Sequence, residues 1–327
     1  MCATLTEDLA LVVVAAGSAP SLHNSQPWQF SLIDGHLLLS ADSDRALSVA
    51  DPTGRALYLS CGAALFSARV ALRALGYQPQ VRRLPHPEYP FTVLAVIDAA
   101  AGGPPTAAES DLYEALWDRR TNRGPFSNER VPESVLALLH QAADQEHSSL
   151  RVLDSRDTAR VLTLARDIGQ HLSGDRAHMA ELRQWIASEQ PDGIPVDALP
   201  MRPTRSPSPV RDADFLAAAP EKRPCAVYEA YPQLAVLTTH NDEPEDWLQA
   251  GQALQHVLLV ATACGLSASF FYHLVESDDM HEDESQKWPW PESRQMVIRL
   301  GYGSPTVPVP RRPLGEIMAE MRELRMA

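Results

Sequence analysis

Arg119, Arg120 and Arg123 fall within five residues in the segment RRTNRGPF, with Thr121 among them. Guanidinium forks and a hydroxyl are natural ligands of a phosphate monoester. The same cluster also fits a solvated basic helix end, where arginine is favoured near the carboxyl terminus. A second basic pair, Arg311 and Arg312, precedes Pro313 in VPVPRRPLGEI. Cations at a helix start oppose the dipole, so either a nearby anion or simple surface exposure accounts for them. A third cluster is APSLHNSQPW, residues 19–28, where two prolines bracket Ser21, His23, Asn24, Ser25 and Gln26. That is more polar density than a plain connector needs. The fourth is CGLSASFFYHLVE, residues 264–276, where a glycine-ended helix turns into a strand carrying Tyr272 and His273. Taken alone, His273 reads more simply as structural than as catalytic.

Several chemistries have no residues to carry them. There is no catalytic triad, zinc motif, P-loop or GxGxxG, and no carboxylate pair stands out. The four cysteines, Cys2, Cys61, Cys225 and Cys264, form no CxxC pair and read as buried thiols. No catalytic side chain and no metal ligand are therefore expected. If the protein is an enzyme, a bound cofactor carries the hard chemistry and the chain supplies orientation and electrostatics.

Composition narrows the partners. The 327 residues are 45% apolar and 21% charged, with a net charge of −14. That charge argues against nucleic acid or an anionic membrane as the main partner. Lys222 and Lys287 are the two lysines and every other basic residue is arginine, so only arginine placement is informative. No apolar tract reaches the roughly 18 residues of a membrane span, and the acidic N-terminus does not read as a secretory signal. A cytoplasmic location is the expectation.

The elements that must position these clusters follow from periodicity and punctuation. Residues 5–16 predict a helix. Residues 28–33 and 37–41 predict a hairpin around Asp34-Gly35. A long apolar helix spans 53–75 and ends at Gly76. Residues 91–97 predict a strand, and 98–110 a linker. Helices follow at 110–118, 132–143, 156–172 and 175–188, with a strand near 150–153. Residues 190–224 hold eight prolines and read as one long irregular excursion. A strand at 234–239 leads to a second long helix, 246–264, ended by Gly265. Strands near 268–272 and 295–302 and a helix from Pro313 complete the chain.

The two long helices are related. An offset of 189 superimposes Leu59 on Leu248, Gly62 on Gly251, Ala64 on Ala253, Leu65 on Leu254, Ala74 on Ala263 and Gly76 on Gly265, without a gap. We read this as an internal duplication. Mid-helix glycine costs up to about 1 kcal/mol against alanine, so Gly62 and Gly251 predict close helix–helix packing. Two copies of one helix packed together would form the middle of a pseudo-symmetric dimer within one chain.

In this order, APSLHNSQPW, LWDRRTNRGPF, GQALQHVLLVATACGL and PRRPLGEI give the chain a near full-length resemblance to the FMN-dependent nitroreductase superfamily, and within it to the Acg-type members with two nitroreductase-like halves. The resemblance implies an α+β nitroreductase-like fold, duplicated so that one chain mimics the family homodimer. Residues 1–105 would form the first half and 106–327 the second. By that resemblance Arg119, Arg120, Thr121 and Arg123 would hold the FMN phosphate, aided by Arg311 or Arg312. Tyr272 and His273 would run beside the flavin ring. Pro20, Ser21 and Asn24 would be the loop lent by the first half, with His23 either facing the flavin or bracing the turn. NADPH or NADH would reduce the flavin, which would pass electrons to a nitro- or quinone-like small molecule by a ping-pong cycle. The alternative is a flavin-sequestering protein whose 190–224 segment is a closed lid. Each half lacks a motif that the other has, so the chain is expected to build one site and to act as a monomeric pseudo-dimer.

Overall fold

In the computed structural model, which describes residues 3–86, 92–186, 192–203, 223–276 and 292–318, helix α1 (Ala3–Ala16) leads through a polar loop to strands β1 (Trp28–Ile33) and β2 (His36–Ala41). Their two-residue turn places Asp34 at φ 51° and Gly35 at φ 87°, the left-handed pair that a tight hairpin requires. Along β1, Trp28, Phe30 and Leu32 face the core and the alternate residues do not. Each such burial stabilises by about 2 kcal/mol. Helix α2 (Arg55–Ala74), β3 (Tyr77–Arg83) and β4 (Ala95–Ala101) follow, then α3 (Ala107–Asp118), α4 (Glu133–Gln145) and β5 (Ser149–Val152). Helices α5 (Ser155–Gly174) and α6 (Arg176–Gln184) precede a two-residue parallel pair, β6 (Arg202–Pro203) and β7 (Cys225–Ala226). Strand β8 (Gln233–Thr239), helix α7 (Pro244–Ala263), β9 (Ser267–Phe270), the single turn α8 (His273–Glu276) and β10 (Ser293–Gly301) come last, before a final turn at Leu314–Ile317.

The duplication is visible in the sheets. One has the order β1-β2-β4-β3 and the other β5-β8-β10-β9, and every neighbouring pair in both is antiparallel. The orders coincide when β5, β8, β9 and β10 stand for β1, β2, β3 and β4. In each sheet the long helix follows the second strand. The difference between them is local. Asp34-Gly35 joins β1 to β2, whereas α5, α6 and the proline-rich stretch are inserted between β5 and β8.

Helices α2 and α7, each of 20 residues, pack against each other between the two sheets. A Cβ built on Gly62 would lie 2.1 Å from the Leu248 carbonyl oxygen, and one on Gly251 would lie 2.1 Å from the Leu59 carbonyl oxygen. The contacts are reciprocal under the offset of 189, as a two-fold relation demands. Both helices stop where expected, with Gly76 at φ 84° and Gly265 at φ 75°. The core divides along this pair. Tyr58, Cys61 and Leu65 join the first sheet's cluster, while Leu59, Ala253 and Leu254 join the second's.

Some boundaries differ from the sequence reading for physical reasons. Strand β3 was not expected, because Pro79 and the polar or charged Gln78, Gln80, Arg82 and Arg83 mask it; it is an edge strand, where proline is tolerated. The alanines at 99–101, read as linker, extend β4 and pair with β3. Helix α3 starts early because Thr106 and Glu109 form a capping box. Strand β9 ends at Phe270, so Tyr272 lies in the turn beyond it and His273 opens α8. Expectations for Cys2, Phe91, Arg205, Arg211, Lys222 and the helix after Met318 fall outside the described residues.

Candidate functional site

A cleft of about 920 Å³, open mouth included, lies between the loop after α1 and helix α2 on one side and the second sheet on the other. The loop after α1 contributes Pro20, Ser21, Leu22 and His23. Helix α2 contributes Ala56, Leu59 and Ser60. The opposite wall is Thr121, Arg123, Leu254 of α7, Ser269 to Tyr272, and Met296 and Arg299 of β10. Ile194 closes one side. The walls are mainly apolar and aromatic with a few polar groups, the usual lining of a site for a flat organic molecule.

The loop at 20–26 is held in a conformation that most side chains avoid. His23, Asn24 and Gln26 have φ of 51°, 58° and 51°. Such backbone persists only where its surroundings over-determine it. Here they do. The Gln26 amide N–H donates to Ser21 Oγ at 2.9 Å, and Gln26 Oε1 accepts from the Arg312 amide at 2.8 Å. Asn24 Nδ2 donates to the carbonyls of Gly193 (2.9 Å) and Pro310 (3.0 Å), and its Oδ1 accepts from Arg311.

Beside this loop stands a group of arginines. Arg119 is 3% exposed, and its Nε has no hydrogen-bond partner among the described residues. Arg119 Nη2 and Arg311 Nη2 both donate to the Ser18 carbonyl oxygen at 3.0 Å. Arg120 is hydrogen-bonded to the Arg119 carbonyl at 2.8 Å. No carboxylate among the described residues pairs with any of the three. Burial, then the charges of Arg311 and Arg120, hold the Arg119 guanidinium well below its ordinary range. Burial and Arg120 bring Arg311 down to about 10. Buried cations without a carboxylate partner are costly, and an anion is the chemical complement of such a cluster.

The sequence candidates thus separate. Pro20, Ser21, His23, Thr121, Arg123 and Tyr272 line the cleft. Arg119, Arg120, Arg311 and Asn24 form the adjoining basic corner. Thr121 is set there by a parallel bridge to Ala268 of β9. Arg312 is engaged elsewhere: it donates to the carbonyls of Gln26 and Trp28 and pairs with Asp42 at 3.2 Å. His273 does not line the cleft; it packs beside Phe271.

Sequence reading missed Arg299, Ser60, Ser269 and Met296. Arg299 is fully buried, pairs with Glu229 through Nε (2.7 Å) and Nη2 (2.9 Å), and lies 3.6 Å from the Phe126 ring centre. A lone arginine within the apolar run MVIRLG was the available signal, since a buried strand cation needs a buried partner.

The proline-rich excursion meets the cleft. Gly193 N–H donates to the Asn24 carbonyl at 3.4 Å, and Arg45 pairs with Asp192. Arg123 reaches the Ala198 carbonyl at 3.5 Å, and Tyr228 Oη lies 3.0 Å from the carbonyl oxygens of both Arg123 and Met201, with one proton to give to either.

The chain is 31% identical to the Mycobacterium tuberculosis protein Acg, provisionally named an NAD(P)H nitroreductase, with 95% of each chain covered. It is also 31% identical to a second M. tuberculosis protein, Rv3131, provisionally named in the same way, covering 97% of this chain and 93% of that one. The chain belongs to this Acg family. No family model matches it. Among solved structures, an FMN-dependent nitroreductase from Mycobacterium smegmatis in complex with NADPH matches 65% of this chain and 99% of its own, at 18% identity and a TM-score of 0.41. A Bacteroides fragilis nitroreductase with bound FMN matches 59% and 88%, at 13% identity and a TM-score of 0.36. No helix among the described residues is long and apolar enough to cross a membrane.

Proposed function

We propose that the cleft binds FMN and that the protein is an NAD(P)H-dependent oxidoreductase acting on a nitro- or quinone-like acceptor. The observation that carries this reading is the buried Arg119, with an unpartnered Nε, two cationic neighbours and, among the described residues, no carboxylate partner. A phosphate monoester supplies the charge and the acceptor oxygens that this corner lacks. Arg119, Arg120 and Arg311 would hold the phosphate, with Thr121 and Arg123 at the rim. The aromatic wall from Phe270 to Tyr272 would flank the ring. When bound, the flavin supplies the electron-transfer chemistry. The chain's own residues bind it, orient it and exclude water.

On this reading residues 1–105 and 106–327 act as two halves of a pseudo-dimer, and one chain makes one site. The mirrored position supports a single site. The offset of 189 carries Ala56 to Glu245 and Tyr272 back to Arg83, and these two form an ion pair at 3.3 Å where the cleft would open.

A second reading has its own support. Residues 192–201 are tied to the 20–26 loop and to Arg123, and Ile194 stands in the cleft wall. A lid so fixed would keep flavin in and nicotinamide out. Anaerobic mixing with NADPH or NADH separates the two. Bleaching of the flavin band within seconds supports turnover. Bleaching by dithionite alone supports sequestration. A colourless preparation that takes up no FMN rejects both.

A further inference from the structure

Tyr272 has one hydroxyl proton and two carboxyl neighbours. Its Oη lies 2.8 Å from Asp51 Oδ1 and 2.8 Å from Glu276 Oε1. One phenol proton serves one of these contacts well, so the other needs a proton on a carboxyl oxygen. Glu276 Oε1 also accepts from Arg55 Nε at 2.9 Å, and Arg55 pairs with Asp242 as well. The extra proton therefore belongs to Asp51, which is 6% exposed. Burial raises the Asp51 carboxyl above its ordinary range, against the amides of Ala56 and Leu57 and the Tyr272 hydroxyl. Burial, then Asp51 and Glu276, push the Tyr272 phenol well up, so it does not ionise alone.

We propose that Asp51 and Tyr272 are the proton donor of the cleft. Tyr272 lines the cleft wall, and Asp51 stands behind it on the amino-terminal end of α2. The inference rests on the oxidoreductase reading, which needs a proton that no other assigned group supplies. Reduction of a quinone takes two electrons and one proton from the reductant held in the cleft, and one further proton. For that second proton the Tyr272 hydroxyl turns from Glu276 towards the cleft, and its proton passes from Oη to the acceptor oxygen. The Asp51 carboxyl proton passes to the Tyr272 oxygen. Asp51 is left ionised, accepting from Ala56 N–H and Leu57 N–H at 2.9 Å each, where the helix dipole favours its negative charge. Water then returns a proton to the carboxyl. The charged groups facing this chain are Glu276 of α8, Arg55 of α2 and Asp242 before α7; Thr53 Oγ1 donates to Glu276 Oε2 at 3.3 Å.

The first test needs no flavin. Infrared spectra of the flavin-free protein at pH 7 should show a protonated-carboxyl C=O stretch that disappears in Asp51→Asn and shifts in Tyr272→Phe. Absence of that band in the unaltered protein, or its survival in Asp51→Asn, overturns the inference. If Asp51→Asn does not fold, an unshifted band in Tyr272→Phe overturns it. The second test uses FMN-loaded protein reduced by dithionite and mixed with a quinone. Tyr272→Phe should slow this step by about 100-fold and abolish its solvent isotope effect. An unchanged rate and isotope effect removes the donor role. Failure to bind FMN instead rejects the oxidoreductase reading and leaves the carboxyl band as the judge of the Asp51 proton.

Discussion

Arg119 and Arg311 donate to the same oxygen, the Ser18 carbonyl, at 3.0 Å each. Two guanidiniums sharing one neutral acceptor destabilise the protein unless an anion joins them. Arg119→Met should therefore have opposite effects in two assays. Without flavin it should stabilise the protein by about 1–3 kcal/mol, read as a rise in the denaturant midpoint. FMN affinity should fall by roughly 10- to 100-fold, the worth of a charge-assisted hydrogen bond or two. Loss of stability with affinity unchanged would remove Arg119 from the phosphate corner.

Asn24 joins three parts of the chain through one side chain: Arg311 on its oxygen, and the carbonyls of Gly193 and Pro310 on its nitrogen. Truncation to alanine frees the 192–201 segment and lets Arg311 turn. Asn24→Ala should make that segment more sensitive to limited proteolysis and speed flavin release. The expected stability cost is about 1–3 kcal/mol. If cleavage within 192–201 does not accelerate, the segment is held by Arg45–Asp192 and the Tyr228 contacts instead.

Much of this was legible in the residues, and the limits are physical. The Asp34-Gly35 turn, the apolar alternation of β1 and the terminal glycines of α2 and α7 are local signals with local causes, and they stand where the sequence placed them. Gly62 and Gly251 announced a helix crossing because glycine is costly there without a packing reason. The polar density at 19–28 drew attention for the same kind of reason, and Pro20 to His23 of that loop line the cleft. Long-range pairing was not legible. Nothing near Asp51 shows that Tyr272, more than two hundred residues away, will hydrogen-bond to it. Nor does RRTNR show that its first arginine would be buried and its neighbours Thr121 and Arg123 would line a cleft. Those facts depend on which strand edge the segment meets, and tertiary packing decides that.

Glu109 gives a pH dependence with a defined sign. The Arg73 hydrogen bond first, then the Thr106 amide, bring its carboxyl down to about 2 from an ordinary 4.5. A depressed carboxyl stabilises the folded state above its unfolded value and loses that contribution as the pH falls. The benefit should be complete above about pH 4.5 and vanish towards pH 2. Its side chain is 30% exposed, so solvent screening limits it to about 1 kcal/mol. Urea unfolding of Glu109→Gln should show that deficit at pH 7 and a smaller one at pH 3. An equal deficit at both would mean that the capping geometry, not the charge, is responsible.

Gly62→Ala tests the helix crossing on which the cleft is built. Its new Cβ would lie 2.1 Å from the Leu248 carbonyl oxygen and 2.9 Å from the Gly251 Cα, both backbone atoms that cannot rotate away. The helices must separate, which costs about 3 kcal/mol or more despite alanine's better helix propensity. Leu59 and Leu254, one from each helix, line the cleft, so separation also disturbs the site. The substitution should lower the unfolding midpoint and weaken FMN retention together. Gly251→Ala should match it closely, because the Leu59 carbonyl meets its Cβ at the same 2.1 Å. The double variant should cost less than the two single costs added, since one displacement of the helices relieves both clashes. Full additivity would show that the two glycines relax independently and that the crossing is not a single shared contact.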